Sequence, residues 1–176
     1  MTERLRVRSD GAAAFYNCAG VFPNTDNNVG LGFSANRWAY VYAVNGTIQT
    51  SDRRAKTEIA DASLGSDFIK DLRPVSYKWI EGGKRSTGEQ DEDGNYTYES
   101  VPGERTHWGF IAQEVKQAVE TAGVDFGGWV LADKNDSDSE QALRYDQFIA
   151  PLTKALQEAL AKIETLEAKV AALESA

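Results

Sequence analysis

Residues 51–58, with the sequence SDRRAKTE, form a short charged segment that separates two less polar stretches of the chain. The segment places the hydroxyl of Ser51 five residues before the amine of Lys56. A serine hydroxyl is a weak nucleophile until a base removes its proton, and a lysine amine is one of the groups that can act as a base. Composition alone nevertheless favours a charged linker with an incidental serine.

Metal and cofactor chemistry finds little support in the remaining residues. Cys18 is the only cysteine and His107 the only histidine, so no standard zinc ligand set exists and no internal disulfide can form. The acidic residues between 133 and 140 do not follow the twelve-residue calcium-loop pattern, which favours a solvated turn. The sequence contains no G-x-G-x-x-G and no phosphate-binding loop. We therefore expect no metal and no cofactor.

Charge and hydropathy exclude further classes. The 176 residues carry a net charge of −8, which argues against a nucleic-acid partner because phosphate binding needs clustered Lys and Arg. No apolar run approaches the roughly eighteen residues of a membrane span, so no membrane partner is expected. Residues 1–50 hold four basic and three acidic residues, which leaves fifteen and twenty-four for residues 51–176. This change of charge near residue 50 indicates two parts.

Residues 1–50 show β-type patterning. Strands are predicted at 5–8, at 15–18 and at 38–44, a stretch rich in aromatic and β-branched residues, and Asn45-Gly46 is a hairpin turn signal. A few short strands make a poor independent core. We expect this part to pack on copies of itself or on a longer upstream chain.

Residues 59–145 alternate helical and extended patterns, which is typical of an α+β domain. The pattern first predicts a helix at 64–72 stopped by Pro74, followed by a strand at 75–80. A polar insertion follows at 81–100, with a long mobile loop and a return strand at 96–98. An amphipathic helix at 108–122 capped by Gly123, a strand at 129–131 and an acidic loop at 133–140 complete the domain.

A heptad pattern at the C-terminal end predicts a long helix with an apolar seam. The seam residues, spaced alternately three and four apart, are Ile149, Leu152, Leu156, Ala159, Ile163, Leu166, Val170 and Leu173. Lys162 and Lys169 fall at g positions and Glu167 and Glu174 at the following e positions, which favours a parallel bundle. The seam residues leave dimer and trimer open, and one amphipathic helix packed on its own domain is the alternative.

Three segments in order resemble the intramolecular chaperone family of phage endosialidases, L-shaped tail fibres and neck appendages. Gly46–Lys56 resembles the family's processing motif, Leu72–Trp79 its passage from helix to strand, and His107–Val115 its recognisable helix start. The stretch 31–42 also resembles the end of many fibre bodies. The resemblance covers about residues 30–176, although 81–100 carry no family signature.

The resemblance implies a self-cleaving serine endopeptidase of the Ser-Lys type that cuts the Thr50–Ser51 bond once, in cis. Ser51 would attack the carbonyl carbon of Thr50 through a five-membered ring, and Lys56 would be the base. An ordinary lysine has a pKa of about 10.4, so such a base needs burial or nearby positive charge. Asp52, Arg54 and His107 are candidate supporting residues, although a structural role is favoured for the histidine.

The resemblance also implies the organisation of the chain as a homotrimer. Residues 1–50 would be the β-rich end of the fibre body, 51–145 the chaperone and cleavage domain, and 146–176 a trimeric coiled coil. The chain would fold and trimerise its own upstream fibre segment in the host cytoplasm. Residues 1–50 would stay in the virion fibre, and residues 51–176 would be released.

Two other interpretations use the same residues. In one, the chain is a structural trimerisation tip of a fibre and is never cut. The presence of both Ser51 and Lys56 argues against this interpretation. In the other, it is a receptor-binding tip in which Trp38, Tyr40 and Tyr42 contact a host glycan. Aromatic residues in a strand are more often part of a core or an interface.

Overall fold

A computed structural model describes residues 5–7, 13–15, 20–26, 29–32, 38, 40–46 and 48–175 of the chain. The chain divides into two compact units, Met1–Thr47 and Ile48–Ala176. Cys18 and most of the strand predicted at 15–18 lie outside the described residues.

The described residues of the first unit include one antiparallel strand pair. Strand β1 (Leu5–Val7) pairs with β2 (Ala13–Phe15), with Leu5 opposite Phe15. The prediction of a strand at 5–8 is confirmed for Leu5–Val7. The strand predicted at 38–44 is wrong for the described residues of that range, which are irregular and exposed. Aromatic and β-branched residues favour a strand only when a neighbouring strand supplies cross-strand contacts.

The second unit is a mixed α/β domain with small two-stranded sheets. Its helices are α1 (Ser66–Asp71), α2 (Ala112–Ala122) and α3 (Ile149–Glu174), and 3₁₀ turns lie at Arg53–Ala55 and Tyr145–Phe148. Its strands are β3 (Val75–Tyr77), β4 (Gly83–Gln90), β5 (Tyr96–Val101), β6 (His107–Gly109), β7 (Trp129–Leu131) and β8 (Gln141–Leu143). The antiparallel pairs are β3–β6, β4–β5 and β7–β8.

The helix predicted at 108–122 begins four residues later than expected. Trp108 lies in β6, opposite Ser76 of β3, because β3 offers a partner for the extended backbone of His107–Gly109. The predicted end is confirmed. Gly123 has φ 66° and its N–H donates to the carbonyls of the last turn, as a left-handed C-cap does.

The polar insertion at 81–100 forms a hairpin, as predicted, but the prediction of a long loop is wrong. Strands β4 and β5 form a ribbon whose connection spans only residues 91–95. The Asp91 carboxylate accepts the N–H groups of Asp93 and Asn95, and Gly94 takes φ 81°. The predicted return strand is confirmed within Tyr96–Val101. Hydrogen bonds from backbone N–H groups to the Asp91 carboxylate stabilise this turn. The turn therefore forms although the segment has no apolar pattern that would predict it.

A small aromatic core fixes the base of α3. Phe68 of α1 packs against Phe126 edge to face, with ring centroids 5.5 Å apart, and Phe126 meets Phe148 at 5.1 Å. Val115 of α2 is the most deeply buried side chain of this core. Phe148, only 3% exposed, directly precedes Ile149, so the core holds the first residue of α3 in place.

Helix α3 buries one face and exposes another. The residues that it buries fully or partly are Pro151, Lys154, Ala155 and Glu158, and α3 packs against α1. There the Glu158 carboxylate accepts the N–H of Ser66 at 2.9 Å. The large apolar residues of the seam lie on a different face and are 50–77% exposed. The predicted helix is confirmed, and its own domain leaves the seam uncovered.

Candidate functional site

Ser51 and Lys56 lie in direct contact at the start of the second unit. Lys56 Nζ donates a hydrogen bond to Ser51 Oγ over 2.7 Å. The chain returns to Ser51 because a 3₁₀ turn at Arg53–Ala55 reverses its direction between the two residues. Both side chains are exposed. The contact therefore forms within one chain, and in the described single chain the amine stays accessible to water.

Asp52 builds the turn that brings the two residues together. Its carboxylate accepts the backbone N–H of Arg54 at 2.8 Å and the Arg54 guanidinium at 2.7 Å. The Arg54 side chain, followed by its backbone N–H, lowers the pKa of Asp52. The carboxylate in turn raises the pKa of Arg54. Asp52 thus orients the turn, and the charge of Arg54 is paired rather than free to act on the amine.

The contact allows one kind of proton transfer. A protonated lysine donates to the hydroxyl, as in the observed geometry, whereas a neutral amine at the same distance accepts the hydroxyl proton. Ser51 Oγ belongs to the residue that follows the Thr50 carbonyl. The arrangement therefore places a hydroxyl and an amine beside one peptide bond, and these are two group types that nucleophilic catalysis can pair.

His107 lies among aromatic side chains. Its ring stacks on Tyr77 with centroids 5.7 Å apart and meets Trp79 at 6.2 Å. Among the described residues, no hydrogen bond joins His107 to Ser51 or Lys56. Its observed contacts are those of a packing residue of the β3–β6 sheet.

A further contact reaches residues 48–63, the segment that holds Ser51 and Lys56 and is called the reactive segment below, from the other end of the domain. Gln49 Nε2 donates to Asp146 Oδ2 over 2.7 Å, and this bond lowers the pKa of Asp146. Gln49 is two residues before Ser51, and Asp146 lies in the 3₁₀ turn that leads into α3. Sequence reasoning missed the pair because its members are 97 positions apart and neither belongs to a pattern that indicates the other.

The described residues contain no group of three or more His, Cys, Asp or Glu side chains placed to hold a metal ion. Within the same part of the chain, no helix combines the length and the hydropathy that crossing a membrane requires.

Comparison with known proteins points to one family. Residues 51–124 match the sequence profile of the family described as chaperone of endosialidase. Among solved structures, the chain is similar to the carboxy-terminal domain of the L-shaped tail fibre of bacteriophage T5 with its intramolecular chaperone domain. That structure is 22% identical with a TM-score of 0.28, and the match covers 68% of this chain and 38% of that one. No curated protein sequence matches. The profile match confirms the resemblance for residues 51–124, and this match begins at Ser51.

Proposed function

We propose that this chain is an intramolecular chaperone that trimerises and folds a phage tail fibre or tailspike and then releases itself by cutting Thr50–Ser51. The observation that carries the proposal is the 2.7 Å contact between Lys56 Nζ and Ser51 Oγ, at the first residue of the matched domain.

The cleavage proceeds in two steps. Ser51 Oγ attacks the carbonyl carbon of Thr50 while its proton passes to the neutral amine of Lys56. The C–N bond then breaks, the departing Ser51 nitrogen takes up the proton, and Thr50 is left esterified to Ser51 Oγ. Water adds to the ester, which frees the Thr50 carboxylate and restores the Ser51 hydroxyl. The Thr50–Ser51 bond is broken and does not form again, so each chain cleaves itself once.

The exposure of Lys56 supports a link between cleavage and assembly. In the described single chain the Lys56 side chain is exposed, and a lysine that acts as a base needs a less watery environment. Packing of neighbouring chains around the reactive segment would remove that water and favour the neutral amine. Cleavage would then follow assembly and report that the trimer is complete.

The uncovered seam of α3 supports assembly through this helix. Its apolar residues follow a heptad pattern and are at least half exposed, whereas the face that packs on α1 is a separate one. A surface of this kind buries its apolar area when helices of identical chains associate. We therefore assign 146–176 to a trimeric coiled coil, 51–145 to the chaperone and cleavage domain, and 1–50 to the fibre body.

This function defines where the two products go. The partners are the two other copies of the chain and the upstream fibre segment of the same chain. Assembly takes place in the host cytoplasm, residues 1–50 stay in the virion fibre, and residues 51–176 leave.

The intact mass of freshly expressed protein tests the proposal. We expect fragments that end at Thr50 and begin at Ser51 in the wild type. The variants Ser51→Ala and Lys56→Arg should stay whole, because one lacks the nucleophile and the other keeps the charge without a usable base. Ser63→Ala, which removes an exposed hydroxyl farther along the chain, is the matched control and should be cut normally.

Each alternative outcome identifies a different error. A wild type that stays whole as a stable trimer would favour the uncut structural tip. Normal cutting of Lys56→Arg would remove Lys56 from the mechanism. Cutting by isolated monomers at a rate independent of concentration would separate cleavage from assembly.

A further inference from the structure

The reactive segment touches the folded domain at one polar point. Among the hydrogen bonds between described residues, the bond from Gln49 to Asp146 is the one that joins residues 48–63 to the rest of the second unit. The other bonds of this segment stay within it, at the turn formed by Asp52 and at the contact between Ser51 and Lys56. Gln49 is thus the upstream anchor of the bond proposed to be cut.

Asp146 stands on a firmly held element. The hydroxyl of the preceding residue, Tyr145, accepts the backbone N–H of Phe110 at 3.2 Å. Phe148, two residues further on, is buried and stacks on the same Phe110 ring with centroids 5.5 Å apart. The carboxylate therefore keeps a fixed place at the base of α3.

We propose that Asp146 is a positioning residue for the cleavage: it binds Gln49 and holds the Thr50–Ser51 bond against the base of α3. This inference rests on the proposed function and adds a physical link between the seam helix and the reactive segment. With Gln49 fixed on one side and the turn fixed on the other, the Thr50 carbonyl has fewer orientations available to it relative to Ser51 Oγ. Restricting two reacting groups in this way raises the rate of their reaction.

The chemistry of the pair permits a direct test, because Gln and Glu have the same shape, as do Asp and Asn. Gln49→Glu places two carboxylates where an amide now donates, so they repel and the anchor is lost. Asp146→Asn alone keeps an acceptor oxygen for Gln49. When both changes are combined, the amide introduced at position 146 can donate to the carboxylate introduced at position 49, and the bond is restored with its polarity reversed.

A matched control comes from the same cleft. Gln157 lines it together with Gln49 and Asp146. Gln157→Glu adds the same charge, and no hydrogen bond joins Gln157 to Asp146 among the described residues. A general effect of negative charge would slow Gln157→Glu and Gln49→Glu alike, whereas loss of the anchor slows only the second.

The experiment follows the fraction of the full chain cut at Thr50–Ser51 over time after cell-free synthesis, for the wild type and each variant. We expect Gln49→Glu to be about ten-fold slower, which corresponds to losing one hydrogen bond to a charged group. Asp146→Asn and the double variant should lie within about three-fold of the wild type, and Gln157→Glu should match it. The oligomeric state of each variant, measured with Ser51→Ala to keep the chain whole, should be unchanged.

Rescue by the double variant is the decisive readout, because a merely structural role for Asp146 would not reverse a defect introduced at Gln49. A double variant as slow as Gln49→Glu, or Gln49→Glu cutting at the wild-type rate, would overturn the inference while leaving the cleavage itself established. A wild type that is never cut would overturn the inference together with the proposed function.

Discussion

Truncation of one seam residue should weaken assembly by an amount that the structure allows us to work out. Leu166 is 59% exposed in the single chain. Leu→Ala removes three carbon groups, worth about 0.8 kcal/mol each when fully buried, so about 1.4 kcal/mol per chain remains to be gained on assembly. Over three chains the loss is about 4 kcal/mol. The trimer association constant should therefore fall by roughly a factor of 1,000.

Sedimentation equilibrium over a range of protein concentrations measures this loss. The protein concentration at half assembly is inversely proportional to the square root of the trimer association constant. Leu166→Ala should therefore raise this concentration by about thirty-fold. All chains carry Ser51→Ala so that cleavage does not change the species present. Glu164→Ala is the matched control, since it truncates a neighbouring exposed residue of α3 that lies off the seam. It should leave the midpoint within about two-fold of the parent.

Two results would refute this reasoning. Equal midpoints for Leu166→Ala and Glu164→Ala would show that the seam is not the assembly surface. A parent chain that remains monomeric at every concentration would show that α3 does not assemble these chains at all.

Two further predictions concern stability. Gly123→Ala should lower the free energy of unfolding by about 1–2 kcal/mol, because φ 66° is strained for alanine. Gly123→Asn should lower it by less. Urea unfolding that shows no loss of stability for either variant would contradict this prediction. The Ser66 side chain, followed by its backbone N–H, lowers the pKa of Glu158 below its ordinary value of 4.5. Its stabilising contribution is thus present above that value and is lost as the pH falls through the lower folded pKa. Between about pH 6 and 3 the melting temperature of the wild type should fall more steeply than that of Glu158→Gln, and parallel curves would count against this contact.

Local periodicity was enough to predict the helices but not all of their limits. The spacing of Leu64, Phe68 and Leu72 predicted α1, which forms between the two leucines at Ser66–Asp71. The heptads predicted α3, because that pattern lies within a single helix. The first residues of the segment predicted as α2 formed a strand instead, since Trp108 pairs with Ser76 and that partner lies 32 residues away. The strand predicted at 38–44 is wrong because a β-prone sequence forms a strand only when another strand pairs with it. The composition of the segment does not show whether such a partner is present.

The candidate site divides in the same way. Ser51 and Lys56 were found because they lie within one short motif, and the turn at Asp52 brings them to 2.7 Å. The link from Gln49 to Asp146 depends on how the chain folds back on itself, and no local rule predicts it.

Helix α3 is held by its domain at one end and exposed along the rest of its length. Its base is clamped between Phe148 and Glu158, whereas residues 159–175 are exposed and extend for about 25 Å at about 1.5 Å per residue. A straight α-helix drifts by about 20° per heptad from a strict seven-residue repeat. Joining a left-handed supercoil would therefore twist the free arm relative to its clamped base. The clamp between Phe148 and Glu158 would confine that twist to the free arm, so that Asp146 keeps its place beside Gln49.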